Sequence, residues 1–298
     1  MALSIKDFLA GWGAGVCGLL VGHPADTVKV RQQVSRRADI FKILIKTVKH
    51  EGVSGLYRGM SFPLLLAGVQ NSVFFGVYGN TLRILQNVQG ADMNRKSCGE
   101  GVTPNKYWHI NVYVAGFTAG FIHAFLACPV DLIKIKIQTK RVLEKNSSYR
   151  VKECIKNISK HSGILGFYQG FLATLVRDVP ISGAYVLLYE HLLNIGRDSK
   201  DRNSEYSVIS QLISGGLAGT ITWVAVTPLD VLKSRIQADD IANRKYKGML
   251  DCVIKSYKEN GLHVFGRGFW MHIIRGFSVN AATFVGYEWC LKMYTILE

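Results

Sequence analysis

Three segments of the sequence carry the same pattern of proline, acid and base. They read HPADTVKVRQQ, CPVDLIKIKIQ and TPLDVLKSRIQ, at residues 23–33, 128–138 and 227–237, and each follows Pro-x-Asp-x-x-Lys-x-basic-x-Gln. An acid and a base three residues apart share one face of a helix, where the pair contributes only a few tenths of a kcal/mol. Three copies, each closing an apolar segment, indicate more than a local surface pair, because charges on different helices can pair with one another.

The spacing of the three copies divides the chain into similar units. Pro24, Pro129 and Pro228 are 105 and 99 residues apart. A period this long exceeds that of the usual solenoid repeats, so each unit is a larger block of secondary structure. The sequence therefore predicts three repeats, in residues 1–100, 101–203 and 204–298.

The prolines indicate how the charges could meet. A proline inside a helix bends it, and three bent helices around a threefold pseudo-axis would bring the acids and bases together. We expect each acid to pair with a lysine of another repeat, in the pairs Asp26–Lys134, Asp131–Lys233 and Asp230–Lys29. The glutamine that ends each motif is expected to hydrogen-bond across these pairs, at Gln33, Gln138 and Gln237. Such a ring would close one end of a central cavity as a gate that must also open.

Long apolar segments must position these motifs. Six segments with few charges have nearly the length of a membrane span, at residues 8–22, 61–78, 110–130, 166–189, 208–229 and 269–287. A spanning helix needs about 20 mostly apolar residues, and six candidates give two per repeat. Charges interrupt some of them, so a hydropathy scan is expected to score them weakly. The sequence therefore predicts an all-α membrane protein with six transmembrane helices.

Small residues recur at one place in each repeat. The glycine pairs are four residues apart, at Gly11/Gly15, Gly116/Gly120 and Gly215/Gly219. Small residues at this spacing let two helices approach closely in lipid. We expect each pair to lie at a helix–helix contact.

The basic residues are concentrated in three segments. Segments 29–58, 134–160 and 233–267 hold 25 of the 36 lysines and arginines in a chain with a formal charge of +15. Basic segments beside membrane spans lie on one side of the membrane, so we expect both termini on the other side. The charges flank apolar spans and form no interleaved basic and aromatic face, which argues against nucleic-acid binding.

The sequence lacks the usual features of an enzyme or a metal site. Its six cysteines show no C-x-x-C spacing and read as free thiols. No nucleophile–base pair, glycine-rich phosphate loop or metal-spaced cluster is present, so no cofactor is expected and an enzyme is disfavoured. The first residues, MALSIKD, contain neither a signal peptide nor an Arg-rich transit segment, so targeting information is expected to be internal.

The three motifs resemble the signature of the mitochondrial carrier family, solute carrier family 25, over essentially the whole chain. The resemblance implies six tilted transmembrane helices, three short helices along the matrix side, a matrix salt-bridge network and alternating access to one central site. It also implies the inner mitochondrial membrane, with both termini toward the intermembrane space. The partners it implies are a small-molecule substrate and a membrane lipid, cardiolipin on the matrix side, and one chain is expected to function as a monomer.

Two further patterns of the family are incomplete here. Acidic-Gly-x-x-x-x-aromatic-basic-Gly is intact in EGVSGLYRG at 51–59 but eroded at 162–170 and 260–268. The cytoplasmic gate pattern is represented by Tyr78, Tyr189, Glu190, Tyr287 and Glu288, and leucines occupy its three basic positions. We therefore expect a weak outer gate, which would favour easier reversal and could permit one-way transport.

Three charged residues lie inside the apolar spans, where charges are costly and usually functional. Arg177 stands twelve residues before Tyr189, and Arg275 stands twelve before Tyr287, so the two arginines have equivalent depth. Asp178 follows Arg177 directly, and the two residues could simply neutralise each other. Alternatively, an arginine holds a carboxylate and an aspartate holds an ammonium group, which suits a zwitterionic or cationic solute.

Uncharged pocket residues are expected as well. Trp223 could bind an alkylammonium group through its indole face, or could instead pack toward lipid. His23, next to Pro24, either stabilises the kink or contributes to the pocket and to proton coupling. Asn71 is a candidate for the pocket wall, and further candidates are Gln70, His123 and Tyr185.

Segments such as LVRDVPISG and RGFSVNAATFVGYE resemble the carnitine/acylcarnitine and basic-amino-acid branch of the family. The resemblance implies transport of a small organic cation or zwitterion of the carnitine, choline or basic amino-acid class. A carrier of anionic metabolites or nucleotides is the alternative within the family, although Asp178 would repel phosphates. A membrane scaffold without transport is the alternative from another class, although it would be expected to lose the charged motifs.

Overall fold

The computed structural model describes residues 5–35, 39–88, 107–143, 151–195, 208–241 and 244–297. Within these ranges all regular structure is helical. Six helices are long: α1 Ile5–Val34, α3 Ser61–Val88, α4 Trp108–Leu143, α6 Phe171–Ile195, α7 Val208–Ala238 and α9 Phe269–Leu297. Three are short: α2 Ile40–Glu51, α5 Val151–Ser162 and α8 Met249–Asn260. The predicted all-α class is confirmed.

The same order of elements occurs three times along the chain. A long helix is followed by a short one, a 3₁₀ turn and a second long helix, with the turns at Val53–Tyr57, Ile164–Tyr168 and Leu262–Gly266. Each motif proline lies inside the first long helix of its set, at Pro24, Pro129 and Pro228. The three copies of the charged motif therefore lie on α1, α4 and α7.

The long helices have the length of membrane spans. They contain 25 to 36 residues, and at 1.5 Å per residue even about 25 residues exceed the roughly 30 Å of hydrocarbon in a bilayer. Among the described residues, three helices are also apolar enough to be identified as spans by hydropathy, in Trp108–Thr139, Phe171–Ile195 and Ile213–Ala238. Hydropathy thus identifies only part of the predicted set, as expected for helices with buried charges.

The long helices pack in a closed order around one axis. The main neighbours are α3 with α4, α4 with α6, α6 with α7, α7 with α9, and α9 with α1. In addition, α1, α4 and α7 touch one another. The three helices that carry the charged motif therefore meet at the centre.

Glycines with positive φ join each short helix to the next long one. Their φ angles of 60–93° are disfavoured for other residues, at Gly52, Gly59, Gly163, Gly170, Gly261 and Gly268. They are the two glycines of the pattern acidic-Gly-x-x-x-x-aromatic-basic-Gly. All three repeats contain both glycines, although not every repeat contains the acid and the base of the pattern. At Gly268 a Cβ atom would lie 3.0 Å from the Gln33 amide nitrogen and 3.1 Å from the Lys29 side chain. The turn therefore places α9 directly against the gate.

The α4–α6 contact depends on glycine. A Cβ atom added to Gly116 would lie 2.8 Å from the Gly183 Cα, and one added to Gly120 would lie 2.6 Å from the Ser182 hydroxyl. A Cβ on Gly183 would lie 2.8 Å from the Tyr113 carbonyl oxygen. The predicted close approach therefore occurs at this pair.

The other two glycine pairs differ from this one: the pair on α7 lies at a looser contact with α6, and the pair on α1 does not mark the close approach of that helix. Gly215 and Gly219 meet tyrosine rings at ordinary van der Waals distances, and Gly15 faces open space. The packing of Gly11 lies outside what the structure describes. On α1 the tight glycines are instead Gly18 and Gly22, where a Cβ would lie 2.5 Å from side-chain atoms of α9. The prediction for α1 was wrong because α9 crosses it about two turns closer to the proline.

Replacing Gly116 by alanine should destabilise the folded protein. The new methyl group would meet the backbone of α6, which cannot rotate aside as a side chain can, and overpacking of this kind costs about 1–3 kcal/mol. The midpoint of thermal unfolding in detergent, followed by intrinsic fluorescence, should fall by several degrees. Gly76→Ala on α3 is the matched control because open space surrounds that position. Equal midpoints for the two variants would contradict the proposed packing.

Candidate functional site

The helices surround a cavity of about 350 Å³ whose wall carries eight charged side chains. Its wall contains residues of all three charged motifs together with residues of α3, α6 and α9. The predicted site residues on this wall are Asp26, Lys29, Asn71, Asp131, Lys134, Arg177, Asp178, Trp223, Asp230 and Arg275. Gln70 and His123 also line it.

The three expected ion pairs are present in the structure. Their nitrogen–oxygen distances are 2.9 Å for Lys134–Asp26, 2.5 Å for Lys233–Asp131 and 3.0 Å for Lys29–Asp230. Each pair joins two of the three motif helices, so together they close a ring. The Lys233 side chain is fully buried and that of Asp230 is 1% exposed. The ring is therefore most deeply buried at these two residues, whereas the Asp131 side chain is 31% exposed.

The three glutamines differ in their partners. The Gln33 amide donates to Asp230 Oδ2 at 2.8 Å and thus extends the third ion pair. The Gln138 amide donates to the Thr27 hydroxyl at 3.1 Å, and the Gln237 amide donates to the Thr174 hydroxyl at 3.4 Å. The expected hydrogen bond across an ion pair therefore occurs at Gln33 and not at the other two, whose amides are taken by hydroxyl groups.

A second ring of contacts lies next to the ion pairs and was not predicted. The second basic residue of each motif donates to a backbone carbonyl near the C-terminal end of the next motif helix. The contacts are Arg31 Nε to Gln138 O at 3.0 Å, Lys136 Nζ to Asp239 O at 2.6 Å and Arg235 Nε to Gln33 O at 3.0 Å. Cations at helix C-termini satisfy carbonyls that lack a partner within the helix. The repeated basic residue seven positions after each proline was the available signal.

Arg177 and Asp178 are joined to the gate as well as to each other. The Arg177 guanidinium contacts the Asp178 carboxylate, and it also lies 2.5 Å from Asp230 and 3.7 Å from Asp131. Asp178 Oδ2 lies 3.5 Å from Lys233 Nζ. Arg177 and Asp178 therefore do more than neutralise each other, because each also contacts charged residues of the ring.

Arg275 occupies a different part of the cavity wall. Its Nε lies 2.6 Å from Asp26 Oδ1, and Asp26 is already paired with Lys134. The Arg275 side chain is 29% exposed, compared with 10% for Arg177. A solute in the cavity therefore has readier access to Arg275 than to Arg177.

Trp223 faces the cavity and not the lipid. The Arg177 guanidinium carbon lies 5.4 Å from the centre of its ring, and Lys29 Nζ lies 5.8 Å from it. These are cation–π distances. His272 stacks on the same indole, with ring centres 5.7 Å apart. An alkylammonium group that binds Trp223 must therefore compete with cations of the protein.

Two residues expected in the pocket lie elsewhere. His23 is fully buried, donates from Nε2 to the Arg58 carbonyl at 3.1 Å and stacks on Tyr57. This contact ties the bend of α1 to the turn before α3, so the interpretation of His23 as a kink-stabilising residue fits better than a place on the cavity wall. Tyr185 stacks on Tyr189 and packs beside Gly219, again away from the wall.

The opposite end of the helices carries fewer charged contacts. Tyr78 is buried in an apolar cluster with Val112 and Val186. Within the described part of the chain, no lysine or arginine forms an ion pair with Glu190. The side chains of Tyr287 and Glu288 lie outside what the structure describes. The described portion of the outer gate is thus mainly apolar, and the weakness of its salt-bridge network stays a prediction.

No metal centre is found among the described residues. No group of three or more His, Cys, Asp or Glu side chains in that part of the chain has the geometry to hold an ion. The cysteines described are free thiols, at Cys17, Cys128, Cys154 and Cys252.

The chain matches known proteins over its full length. A family model described as "Mitochondrial carrier protein" matches residues 3–89, 105–200 and 204–297. "Solute carrier family 25 member 45" from Mus musculus is 38% identical over 98% of this chain and 100% of its own length. "Solute carrier family 25 member 48" from Homo sapiens is 37% identical over 98% of this chain and 96% of its length. The "Mitochondrial basic amino acids transporter" from Bos taurus is 38% identical over 93% and 88%.

The match to member 48 agrees with an expectation from the sequence. In the sequence, segments such as PVDLIKIKIQ and KYKGMLDCVIKSY indicate a likeness to that protein. Member 45 and the basic amino acids transporter match to a similar degree. Sequence identity alone therefore does not show which of these relatives is the better guide to the solute.

Proposed function

The chain belongs to the mitochondrial carrier family, and from that premise we propose that it carries a small zwitterion bearing a carboxylate and an ammonium group. As a member of this family it is a multi-pass transporter of the inner mitochondrial membrane and not an enzyme. The proposed solute is of the carnitine or basic amino-acid class. Choline, a cation without a carboxylate, is the nearest alternative.

The balance of charge around the cavity carries this proposal. Counted in their ordinary ionised forms, four cations and four carboxylates line the wall, so their charges balance. The cations are Lys29, Lys134, Arg177 and Arg275, and the carboxylates are Asp26, Asp131, Asp178 and Asp230. Choline would add a positive charge without a partner, whereas carnitine is neutral overall and its two charged ends can each pair with an opposite charge of the wall. Lysine also adds a positive charge, but like carnitine it brings a carboxylate that can pair with an arginine. Buried charges are costly unless they are paired.

Two ends of the cavity suit the two ends of such a solute. Arg275 can hold a carboxylate through two parallel hydrogen bonds, since its guanidinium is accessible from the cavity. Asp178 and the face of Trp223 are the groups for the ammonium end. The name of the basic amino acids transporter, which is 38% identical, supports a substrate of this charge type.

The same contacts supply a means of alternating access. A solute carboxylate at Arg275 competes with Asp26, and a solute ammonium near Asp178 competes with Lys233. Solute binding therefore weakens the closed ring in proportion to the contacts that it replaces, as any ligand must if it is to shift a conformational equilibrium. We propose that the ring opens toward the matrix when these contacts are exchanged.

The remaining family features are proposed for this chain as well. The basic segments around α2, α5 and α8 would lie on the matrix side, and both termini would face the intermembrane space. Each of the three repeats supplies one motif helix to the ring, so a single chain suffices as the transporting unit. Cardiolipin on the matrix side is the proposed lipid partner.

The charge of the site argues against the alternative solutes. A nucleotide brings several negative charges, whereas the charges on the cavity wall balance and include the carboxylate of Asp178. The intact ring of ion pairs argues against a scaffold that does not transport, because such a protein has no need of a gate.

Uptake into proteoliposomes tests the proposed function. We expect labelled carnitine or lysine to enter faster than choline, and ADP and malate to stay outside. Each solute is measured with and without internal counter-solute, because the weak outer gate predicts uptake even into empty vesicles. Entry of ADP or malate, without entry of carnitine, lysine or choline, would contradict the proposal.

A further inference from the structure

A buried histidine lies beside the most connected acid of the gate. His272 of α9 is 2% exposed, and its Nε2 lies 3.5 Å from Asp230 Oδ2. Its ring stacks on Trp223. The residue thus contacts both the gate and the aromatic wall of the solute site without lining the cavity itself.

The imidazole makes no hydrogen bond through Nε2 to any residue that the structure describes. A distance of 3.5 Å exceeds the usual 2.7–3.2 Å of an N–H···O hydrogen bond. Asp230 is meanwhile satisfied by Lys29, Arg177 and Gln33. In the closed ring His272 is therefore a nearby but unused partner of Asp230.

We propose that His272 takes up a proton when the ring opens and replaces Lys29 as the cationic partner of Asp230, so that transport is coupled to proton binding. This inference rests on the proposed function and extends it. The proton passes from cavity water to the Nε2 lone pair, and it returns to water when Lys29 pairs with Asp230 again.

The charges on the neighbouring helices explain why the proton would move at that step. Lys29 of α1 and Arg177 of α6 both contact Asp230 of α7, and Arg275 lies one turn further along α9. While the ring is closed, these three cations oppose a further positive charge on the imidazole. When Lys29 leaves, the remaining cationic partner of Asp230 is Arg177, which is shared with Asp131 and Asp178, and an acid with too little compensating charge is unfavourable. Protonated His272 supplies the missing positive charge.

The pH dependence of uptake tests the proposal. Because protonation of His272 favours opening, wild-type carnitine uptake should rise about tenfold between pH 8 and pH 6, the interval in which histidine is the side chain that most readily changes its charge. Carnitine is suitable because its quaternary ammonium and its carboxylate both keep their charge over this range. If the wild-type protein transports lysine faster than carnitine, lysine is used as the solute in place of carnitine.

His272→Gln keeps a hydrogen-bond donor and removes the titration, so its uptake should be nearly constant from pH 8 to pH 6. His161→Gln, at an exposed site on α5, is the matched control and should retain the wild-type profile. A pH-independent wild type, or a His272→Gln profile equal to that of wild type, would overturn the proposal. Failure of wild type to carry any amine would instead contradict the proposed function.

A second measurement does not depend on transport. A protonated imidazole quenches the fluorescence of a stacked indole. The fluorescence of Trp223 is obtained by subtracting the signal of Trp223→Phe from that of wild type. In the presence of a solute that opens the ring, this difference should change in one step between pH 5.5 and pH 8. The step should be absent in His272→Gln. A difference signal that stays flat in the presence of a transported solute would overturn the proposal, and so would a step that persists in His272→Gln.

Discussion

Replacing Asp230 by asparagine is expected to lower the free energy of unfolding by about 3–5 kcal/mol, the usual cost of breaking a buried ion pair from one side. The Asp230 carboxylate contacts Lys29 at 3.0 Å, Arg177 at 2.5 Å and Gln33 at 2.8 Å, and it is 1% exposed. An amide of the same shape keeps the packing but cannot neutralise the two cations. Lys29, which is also buried, would lose the carboxylate to which it is paired.

The midpoint of thermal unfolding in detergent measures this effect. Asp251→Asn on α8 is the matched control, because the 2.8 Å pair of Asp251 with Lys255 is exposed to solvent. Exposed pairs of this kind contribute at most about 1 kcal/mol. A midpoint for Asp230→Asn close to that of the control would show that the ring does not stabilise the closed state.

The ring itself could be predicted from the sequence. Its acids and bases occur in three equivalent copies, and threefold symmetry leaves few ways to pair them between helices. The distances within Asp26–Lys134, Asp131–Lys233 and Asp230–Lys29 agree with that prediction. Repetition was the decisive signal, because a single Asp-x-x-Lys is indistinguishable from a local surface pair.

Contacts that occur only once could not be predicted in this way. His272 has no titratable counterpart that a repeat would reveal, and Arg275, the counterpart of Arg177, contacts Asp26 instead of Asp230. The contacts of Arg177 and His272 with Asp230 depend on how α6 and α9 pack. The positions of the tightly packed glycines of α1 could not be predicted for the same reason. The recurring pair at Gly11 and Gly15 lies on the helix, but the crossing of α9 makes Gly18 and Gly22 the residues at which no side chain fits.

Arg275→Gln is expected to reduce carnitine uptake about 100-fold, within the range reported for truncating one partner of a buried charge pair. The guanidinium is the accessible cation of the cavity, and a glutamine cannot form the charged two-bond contact with a carboxylate. Asp26 would keep Lys134 as its partner at 2.9 Å, so the ring should remain closed and the protein folded. Choline has no carboxylate, and its uptake should change by less than about threefold, as expected for an interaction that it does not make.

Arg244→Gln is the matched control for this change. It removes one arginine from an exposed site between α7 and α8, far along the chain from the cavity residues of α9. Uptake of both solutes should equal that of wild type. Equal losses in the two variants would indicate a general effect of net charge on the protein or on vesicle binding.

The carnitine-to-choline uptake ratio, measured for wild type and Arg275→Gln in proteoliposomes of one lipid composition, tests most directly whether the charged cavity selects a zwitterion. We predict that wild type favours carnitine and that the ratio falls about 100-fold in the variant, mainly through the loss of carnitine uptake. A ratio that is the same in both proteins would contradict the assignment of Arg275 as the carboxylate-binding residue, and with it the proposed class of solute.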